Sequence, residues 1–288
     1  MEDEVLKSFV DEYYTKTIDG IYFAHQPIYG YRSPYADTSQ IARYMITRSI
    51  LDQLARYSFH QLIDISAAEG YTAHLIRTLF HTEVEVTDWS ESVCAVARAV
   101  YGLKTQVADI LALPFEDDAF EVVLCSETLE HIPGWEKGFD ELLRITKNLL
   151  VVTVPHDPIE FVEYNRQHVL GGHINYFEEE TFDFLKERNL SFTIEKTLCP
   201  KLIKPRVLAE AYPKPPTSVA YRMYNACTPL LKTIFGKRTA QWLIDQDTNW
   251  VQRSGTYGGI TLVIEKQPLP RNPKYKPVRA RDFMDIVV

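Results

Sequence analysis

The stretch QLIDISAAEGYTAHLI, Gln61 to Ile76, constrains the fold more than any other part of this chain. It is an apolar run ending in Asp64, then a loop of small residues, then an amphipathic helical pattern. A strand that feeds a helix through small residues lets the backbone approach a ligand closely, because few Cβ atoms stand in the way. Two further segments follow in order, VEVTDWS and VADILALPFEDDAFEVVLCSETLEHIP. Each is an apolar run closing on an acidic or polar residue, where a parallel sheet would present its carboxyl edge.

From Gln61 the pattern alternates. Strands are expected at 61–64, 83–88, 105–108, 120–126 and 148–154, with helices at 70–80, 90–101 and 135–146 between them. Helical segments of this length between strands imply right-handed crossovers and a parallel sheet. A helix near 180–189 and two more strands, SFTIEKTLC and YGGITLVIEK, follow. The expected fold is therefore α/β: a doubly wound, mostly parallel seven-stranded sheet with an antiparallel terminal strand. Residues 1–57 read as an N-terminal helical cap with an aromatic lid. A helix over 2–17 would carry Val5, Phe9 and Tyr13 on one face, and a second, capped at Asp37, Thr38 or Ser39, would run to about Tyr57. Residues 58–200 and 257–266 form the core, and 201–256 a helical insertion over the cleft. Residues 267–288 form a Pro-rich arm, read as solvated.

Composition narrows the function. A net charge of −8 argues against a nucleic-acid partner, since phosphate binding relies on clustered Lys and Arg. The four cysteines (Cys94, Cys125, Cys199, Cys227) lack paired CxxC spacing, so neither disulfides nor zinc are expected. No apolar run approaches the ~18 residues that cross a bilayer. The acidic N-terminus is unlike a signal peptide. A cytoplasmic protein without a membrane partner is expected; oligomeric state is left open.

Ligands of open α/β sheets bind outside the carboxyl ends of the strands, where strand order reverses. Asp88 at the second strand's end is placed to accept hydrogen bonds from ribose hydroxyls. Asp109 can accept from an adenine amine, Ile110 can pack on the ring, and Trp89 offers a flat face to its other side. Taken singly, each acid could equally be a polar strand end or a helix cap.

With these residues the chain resembles the class I S-adenosylmethionine-dependent methyltransferases, from about Ile41 through Lys266. The family's first motif, D/E-x-G-x-G-x-G, is matched by Asp64, Ser66, Ala68 and Gly70. Its ribose acid corresponds to Asp88 and its adenine-contacting acid to Asp109. LPFEDDAFEVVLCSETLEHI, which contains Cys125, looks like the family's most recognisable stretch. The resemblance implies a Rossmann-like fold, S-adenosyl-L-methionine as cofactor, and a cofactor site of Asp64, Ser66, Ala68, Gly70, Asp88, Trp89, Asp109, Ile110 and Cys125. Only Gly70 of the three motif glycines is kept, so a left-handed backbone at 66 or 68 would cost about 1–2 kcal/mol. Asp88→Ala is expected to weaken cofactor binding severely and leave the fold intact.

Methyl transfer from a sulfonium is an in-line displacement that needs positioning and, for a hydroxyl acceptor, a proton acceptor. His131, His156 and His173 follow strand ends and are the candidate bases. GHINYF around His173 looks like a family segment near the acceptor. Tyr31, Glu127 and His173 are candidate acceptor contacts; Glu127 and Glu130 could instead interact with the next helix's positive end. Arg32 of the aromatic loop could pair with the cofactor carboxylate. His156, Asp157, His168 and His173 lack a familiar ligand spacing, so no metal site is expected. The expected function is methylation of a small hydroxylated acceptor such as a sugar or natural product. A catalytically silent cofactor-binding protein is the alternative. A nicotinamide oxidoreductase fits less well, because its glycine fingerprint is missing.

Overall fold

The computed structural model describes residues 2–15, 17–18, 21–22, 39–199, 227, 230, 233–234, 256–283 and 286. Helix α1 (Glu2–Thr15) and a small ribbon of β1 (Thr17–Ile18) and β2 (Ile21–Tyr22) precede α2 (Ser39–Ala55). Then come β3 (Gln61–Ile65), α3 (Tyr71–Phe80), β4 (Glu83–Asp88), α4 (Glu91–Tyr101), β5 (Lys104–Val107) and β6 (Phe120–Ser126). After a 3-10 turn (Leu129–His131) follow α5 (Trp135–Ile145), β7 (Thr146–Pro155) and α6 (Ile159–His168). A second 3-10 turn (Glu179–Phe182), α7 (Phe184–Glu187), β8 (Ser191–Cys199), β9 (Thr256–Glu265) and α8 (Ala280–Phe283) complete the order.

Seven strands form one sheet in the order β5-β4-β3-β6-β7-β9-β8. The pairs from β5 to β7 are parallel, and β9 runs antiparallel to both β7 and β8. The antiparallel strand closes the sheet in sequence, while β8 is its edge in space. The chain winds outward from β3 to β5 and then crosses back to β6, so the switch point lies between the tips of β3 and β6.

Alternate residues of each central strand feed opposite faces. Leu62, Val122, Leu124 and Val151 join the core under α2, α3 and α4. Ile63, Val123, Leu150 and Val152 join the one under α5, with Phe139, Phe177 and Phe182. Both faces are covered, which is why these strands read as continuous apolar runs. Each buried aliphatic side chain contributes about 1.5–3 kcal/mol.

Three details depart from the sequence expectation. Helix α6 occupies a stretch for which no element was expected: Pro158 pre-sets its start, and Phe161, Val162 and Asn165 are buried along it. The C-terminal segment is not a solvated arm. Leu269, Val278 and Phe283 enter the core, Tyr57 bridges to Arg271, and the Val278 N–H donates to Asp52. Apolar residues spaced among the prolines give it enough surface to dock on α2. On α1, Val5 and Phe9 stay about half exposed rather than forming a buried face. Nearly all of 201–255 and the aromatic loop with Phe23, His25, Tyr29, Tyr31, Arg32 and Tyr35 lie outside the described residues. No helix among the described residues is long and apolar enough to cross a membrane.

Candidate active site

The β3–α3 loop sits at the switch point and keeps the glycine-type backbone without the glycines. Ser66, Ala68 and Gly70 have φ of 58°, 49° and 83°. All three positions are left-handed, so the two side chains cost about 1–2 kcal/mol each and leave the loop's path unchanged. The third position truly requires glycine. A Cβ on Gly70 would lie 2.7 Å from Leu103 Cδ1 and 3.1 Å from the Ala97 Cβ. Gly70→Ala is therefore expected to destabilise the fold by about 2–4 kcal/mol, combining left-handed strain with overpacking. Urea denaturation measures it, and a loss under ~1 kcal/mol would contradict this packing.

Three carboxylates surround the loop. Asp64, at the end of β3, is 2% exposed, Asp88 is 6% exposed, and Glu69 is buried beside them. Asp88 Oδ2 accepts from the Ala68 N–H and its Oδ1 from the Ser90 N–H, both at 3.1 Å. It thus ties the loop to the start of α4, whose N-cap Ser90 accepts from the Val93 N–H. That work was invisible in the sequence. It corrects the expectation that Asp88→Ala leaves the fold intact, because two N–H groups would lose their partners at about 1–3 kcal/mol each. Burial, then the charges of Asp88 and Glu69, push the Asp64 carboxyl well above its ordinary value. Burial raises Asp88 to about 6 against the lowering effect of its backbone N–H bonds.

The other expected cofactor residues separate. Asp109 is exposed just past β5 and accepts from the Leu111 N–H at 2.8 Å, while Trp89 is half-buried. Ile110 is a core residue facing Gly138 of α5. Cys125 is 0% exposed inside β6, and burial pushes its thiol far above the usual range. The tip of that strand is the half-buried Ser126, followed by the half-buried Glu127.

The expected histidines also separate. β6 lies next to β3 (Ile65 is paired with Cys125), so the turn after β6 opens beside the loop. Here His131 and His173 meet edge to face, ring centroids 4.8 Å apart. His131 Nδ1 lies 3.2 Å from the Gly172 carbonyl, and His173 Nδ1 lies 2.6 Å from Asp157 Oδ2. In each ring the carbonyl or carboxylate accepts from Nδ1–H, leaving Nε2 with its lone pair. Burial, then His173, lowers His131 to about 4, so it is neutral at pH 7. Glu130 is 1% exposed, 3.7 Å from His131 Nε2, and burial followed by the Glu127 charge raises its carboxyl. His156 stands slightly apart, its Nδ1 2.8 Å from the Phe177 carbonyl. His168, at the end of α6, is exposed and stacked on Tyr164.

What brings residue 173 to residue 131 is Asn175. Its Nδ2 donates to the Leu129 and Ile132 carbonyls, each at 2.8 Å, and the Ile174 and Asn175 N–H groups donate to the Glu130 carbonyl. Asp157 and Asn175 were not expected as site residues. The acid directly after His156, and an amide two residues after a candidate base, were the available signals.

A doubly wound sheet with carboxylates gathered around a small-residue loop at its switch point is the place where open α/β proteins take their ligands. Residues 63–149 match the "Methyltransferase domain" family model. Over 112 residues the chain is 31% identical to a demethylmenaquinone methyltransferase of Clavibacter sepedonicus, covering 38% of this chain and 44% of that one. Over 118 residues it is 29% identical to an uncharacterized methyltransferase, YcgJ, of Bacillus subtilis, covering 36% and 46%. The chain thus spans less than half the length of these curated relatives. The solved structure of YcgJ superposes with a TM-score of 0.51 at 17% identity, over 77% of this chain and 98% of that one. Phosphoethanolamine N-methyltransferase 2 of Haemonchus contortus, solved in complex with S-adenosyl-L-methionine, gives 0.50 at 17% identity, over 84% and 60%. At such identities the structural likeness speaks for the fold. Residues 63–149 thus resemble a methyltransferase domain, and the solved structures share the fold around them.

Proposed function

We propose that this protein uses S-adenosyl-L-methionine to methylate a small hydroxylated acceptor on oxygen. One juxtaposition carries the reading: buried carboxylates beside a left-handed loop at the β3 tip, and paired imidazoles beyond the neighbouring β6 tip. When bound, the cofactor supplies an electrophilic methyl group on a sulfonium. The protein's part is to hold that group, aim the acceptor and exclude water.

The donor set suits the cofactor. The charges of Asp88 and Glu69 make Asp64 costlier to ionise, that of Glu69 does the same to Asp88, and a ligand carrying cationic sulfonium and ammonium centres relieves that repulsion. The Asp88 carboxylate accepts from the backbone of Ala68, Ser90 and Trp89, and its two oxygens keep lone pairs for ribose hydroxyls. Asp109 remains the candidate for the adenine amine.

On the acceptor side, His131 and His173 each offer a bare Nε2, with Glu130 beside them. Groups that accept a proton favour a hydroxyl, which must lose one as it attacks; a neutral amine can attack first. Glu127, His156 and Tyr31 remain candidate acceptor contacts. The relatives' own names, a demethylmenaquinone and a phosphoethanolamine enzyme, differ too much in acceptor to choose between them.

Cofactor affinity should depend on pH in a defined direction. Free Asp88 ionises at about 6, and the ribose hydroxyls need its carboxylate, so binding expels a proton below that pH. Affinity is expected to be level above about pH 7 and to fall toward tenfold per unit below about pH 6. For the cofactor-free fold the sign reverses: Asp88's contribution to stability is full below its unfolded value of 3.8 and is lost as pH rises through about 6. Calorimetric titration with S-adenosylmethionine at several pH values checks both the ligand and the group. Absence of binding at neutral pH overturns the proposal. Methyl release to a panel of sugars and phenols then tests the acceptor class.

A further inference from the structure

We propose that Glu130, His131 and His173 form a divalent metal site, with Asp157 and the Gly172 carbonyl orienting its two imidazoles. One ligand atom from each of the three side chains lies within 4.8 Å of the others. Around a single ion with bonds of about 2.1 Å, neighbouring ligand atoms sit about 3.0–3.4 Å apart, so the cluster closes by up to about 1–2 Å on binding, within reach of side-chain rotation.

Three independent observations point to a cation. First, each ring has its Nδ1 on a fixed acceptor, which leaves each Nε2 with its lone pair, and a nitrogen of each ring lies within 4.8 Å of the other and of a Glu130 oxygen. A carboxylate or carbonyl behind each histidine is the usual outer support of a metal-binding imidazole, fixing its tautomer and raising its basicity. Second, the Glu130 side chain is almost wholly buried, and its Oε2 has no hydrogen-bond partner among the described residues. An unsatisfied buried carboxylate oxygen is costly, and a coordinated cation offsets that cost more fully than a neutral donor. Third, the ligands come from a braced scaffold. Glu130 and His131 share one 3-10 turn, and His173 is pinned to it through Asn175 and the Ile174 N–H. Rigid placement of this kind keeps two imidazoles and a carboxylate facing one another instead of swinging into solvent.

The donor set selects the ion. Two imidazoles and one carboxylate suit manganese, iron, cobalt, nickel or zinc; an all-oxygen cage would be expected for magnesium or calcium. Three protein ligands leave positions open, and Glu127 at the β6 tip adds negative charge near Glu130. A bound divalent ion is a Lewis acid that makes a hydroxyl easier to deprotonate. With the ion bound, the Nε2 lone pairs ligate it instead of accepting the proton. The role in methyl transfer rests on the hydroxyl-acceptor reading above, and the binding site rests on its own residues.

The test uses the untagged, full-length protein stripped with a chelator. Free manganese is followed by electron paramagnetic resonance, and cobalt by its visible spectrum. The unsubstituted protein is expected to bind a single ion with nitrogen-ligated cobalt bands. Glu130→Gln, which keeps the shape of the side chain, should weaken binding at least about tenfold, and a His131→Ala/His173→Ala double variant should abolish it. Asp157→Asn should weaken metal binding roughly 10–100-fold as a positioning residue, with a shifted cobalt spectrum. S-adenosylmethionine titration of every variant should be unchanged, which shows that each is folded. Failure of the stripped protein to bind either ion, or unaltered binding in the double variant, overturns the site. Metal binding without any cofactor binding would instead overturn the methyltransferase reading and leave the site standing.

Discussion

Asp88→Asn is expected to weaken S-adenosylmethionine binding roughly 100-fold. The substitution keeps the shape of the side chain and removes its charge. Hydrogen bonds to an ionised group contribute about 1.5–3 kcal/mol each, and an asparagine can replace only part of what two ribose hydroxyls would lose. It also turns an NH2 toward one of the backbone N–H groups that Asp88 now satisfies, those of Ala68 and Ser90 among them. The loop and the start of α4 should therefore loosen, at a cost of about 1–3 kcal/mol in folding stability. Calorimetric titration gives the first effect and urea denaturation the second. Affinity within about threefold of the parent protein would mean that the ribose is held elsewhere. Asp88→Ala should be worse on both counts, since it leaves these N–H groups bare.

The second large effect is expected at Asn175, which need not touch cofactor or acceptor to matter. Its amide donates to the Leu129 and Ile132 carbonyls, joining the 173–175 segment to the turn that carries Glu130 and His131. Asn175→Ala removes both bonds and strands both carbonyls, a loss of about 2–3 kcal/mol. Once released, His173 can drift from His131 by an ångström or more. Misplacement on that scale costs about 100-fold in turnover. S-adenosylmethionine affinity should be nearly unchanged, because β3, β4 and their loop are elsewhere in the sheet. A variant that lost cofactor affinity and turnover together would point to general unfolding; one that kept full turnover would remove the segment from the active site.

Much of this was legible from the chain alone because it is local. A run such as LIDI or VVLC must be a buried strand, and helices of about eleven residues between such runs force parallel crossovers. Asp64, one residue short of the end of β3, and Asp88, the last of β4, were legible for the same reason: residues at a strand's end lie at the sheet's edge. What misled was equally physical. Helix α6 carries mixed polarity, so its period is weak. The C-terminal segment's prolines suggested a solvated arm, although its few apolar residues dock on α2.

Hydrophobic periodicity and small-residue turns determined the sheet, its switch point and the place of the loop, because these depend on neighbours a few residues apart. Whether Ser66 and Ala68 could adopt the glycine-type backbone was a question the chain raised and only the folded loop answered, through φ angles of 58° and 49°. The meeting of Glu130 and His131 with His173, some forty residues onward, was decided by tertiary structure alone. That meeting depends on one amide bridging two loops, and no spacing along a chain encodes which carbonyls a distant asparagine will find.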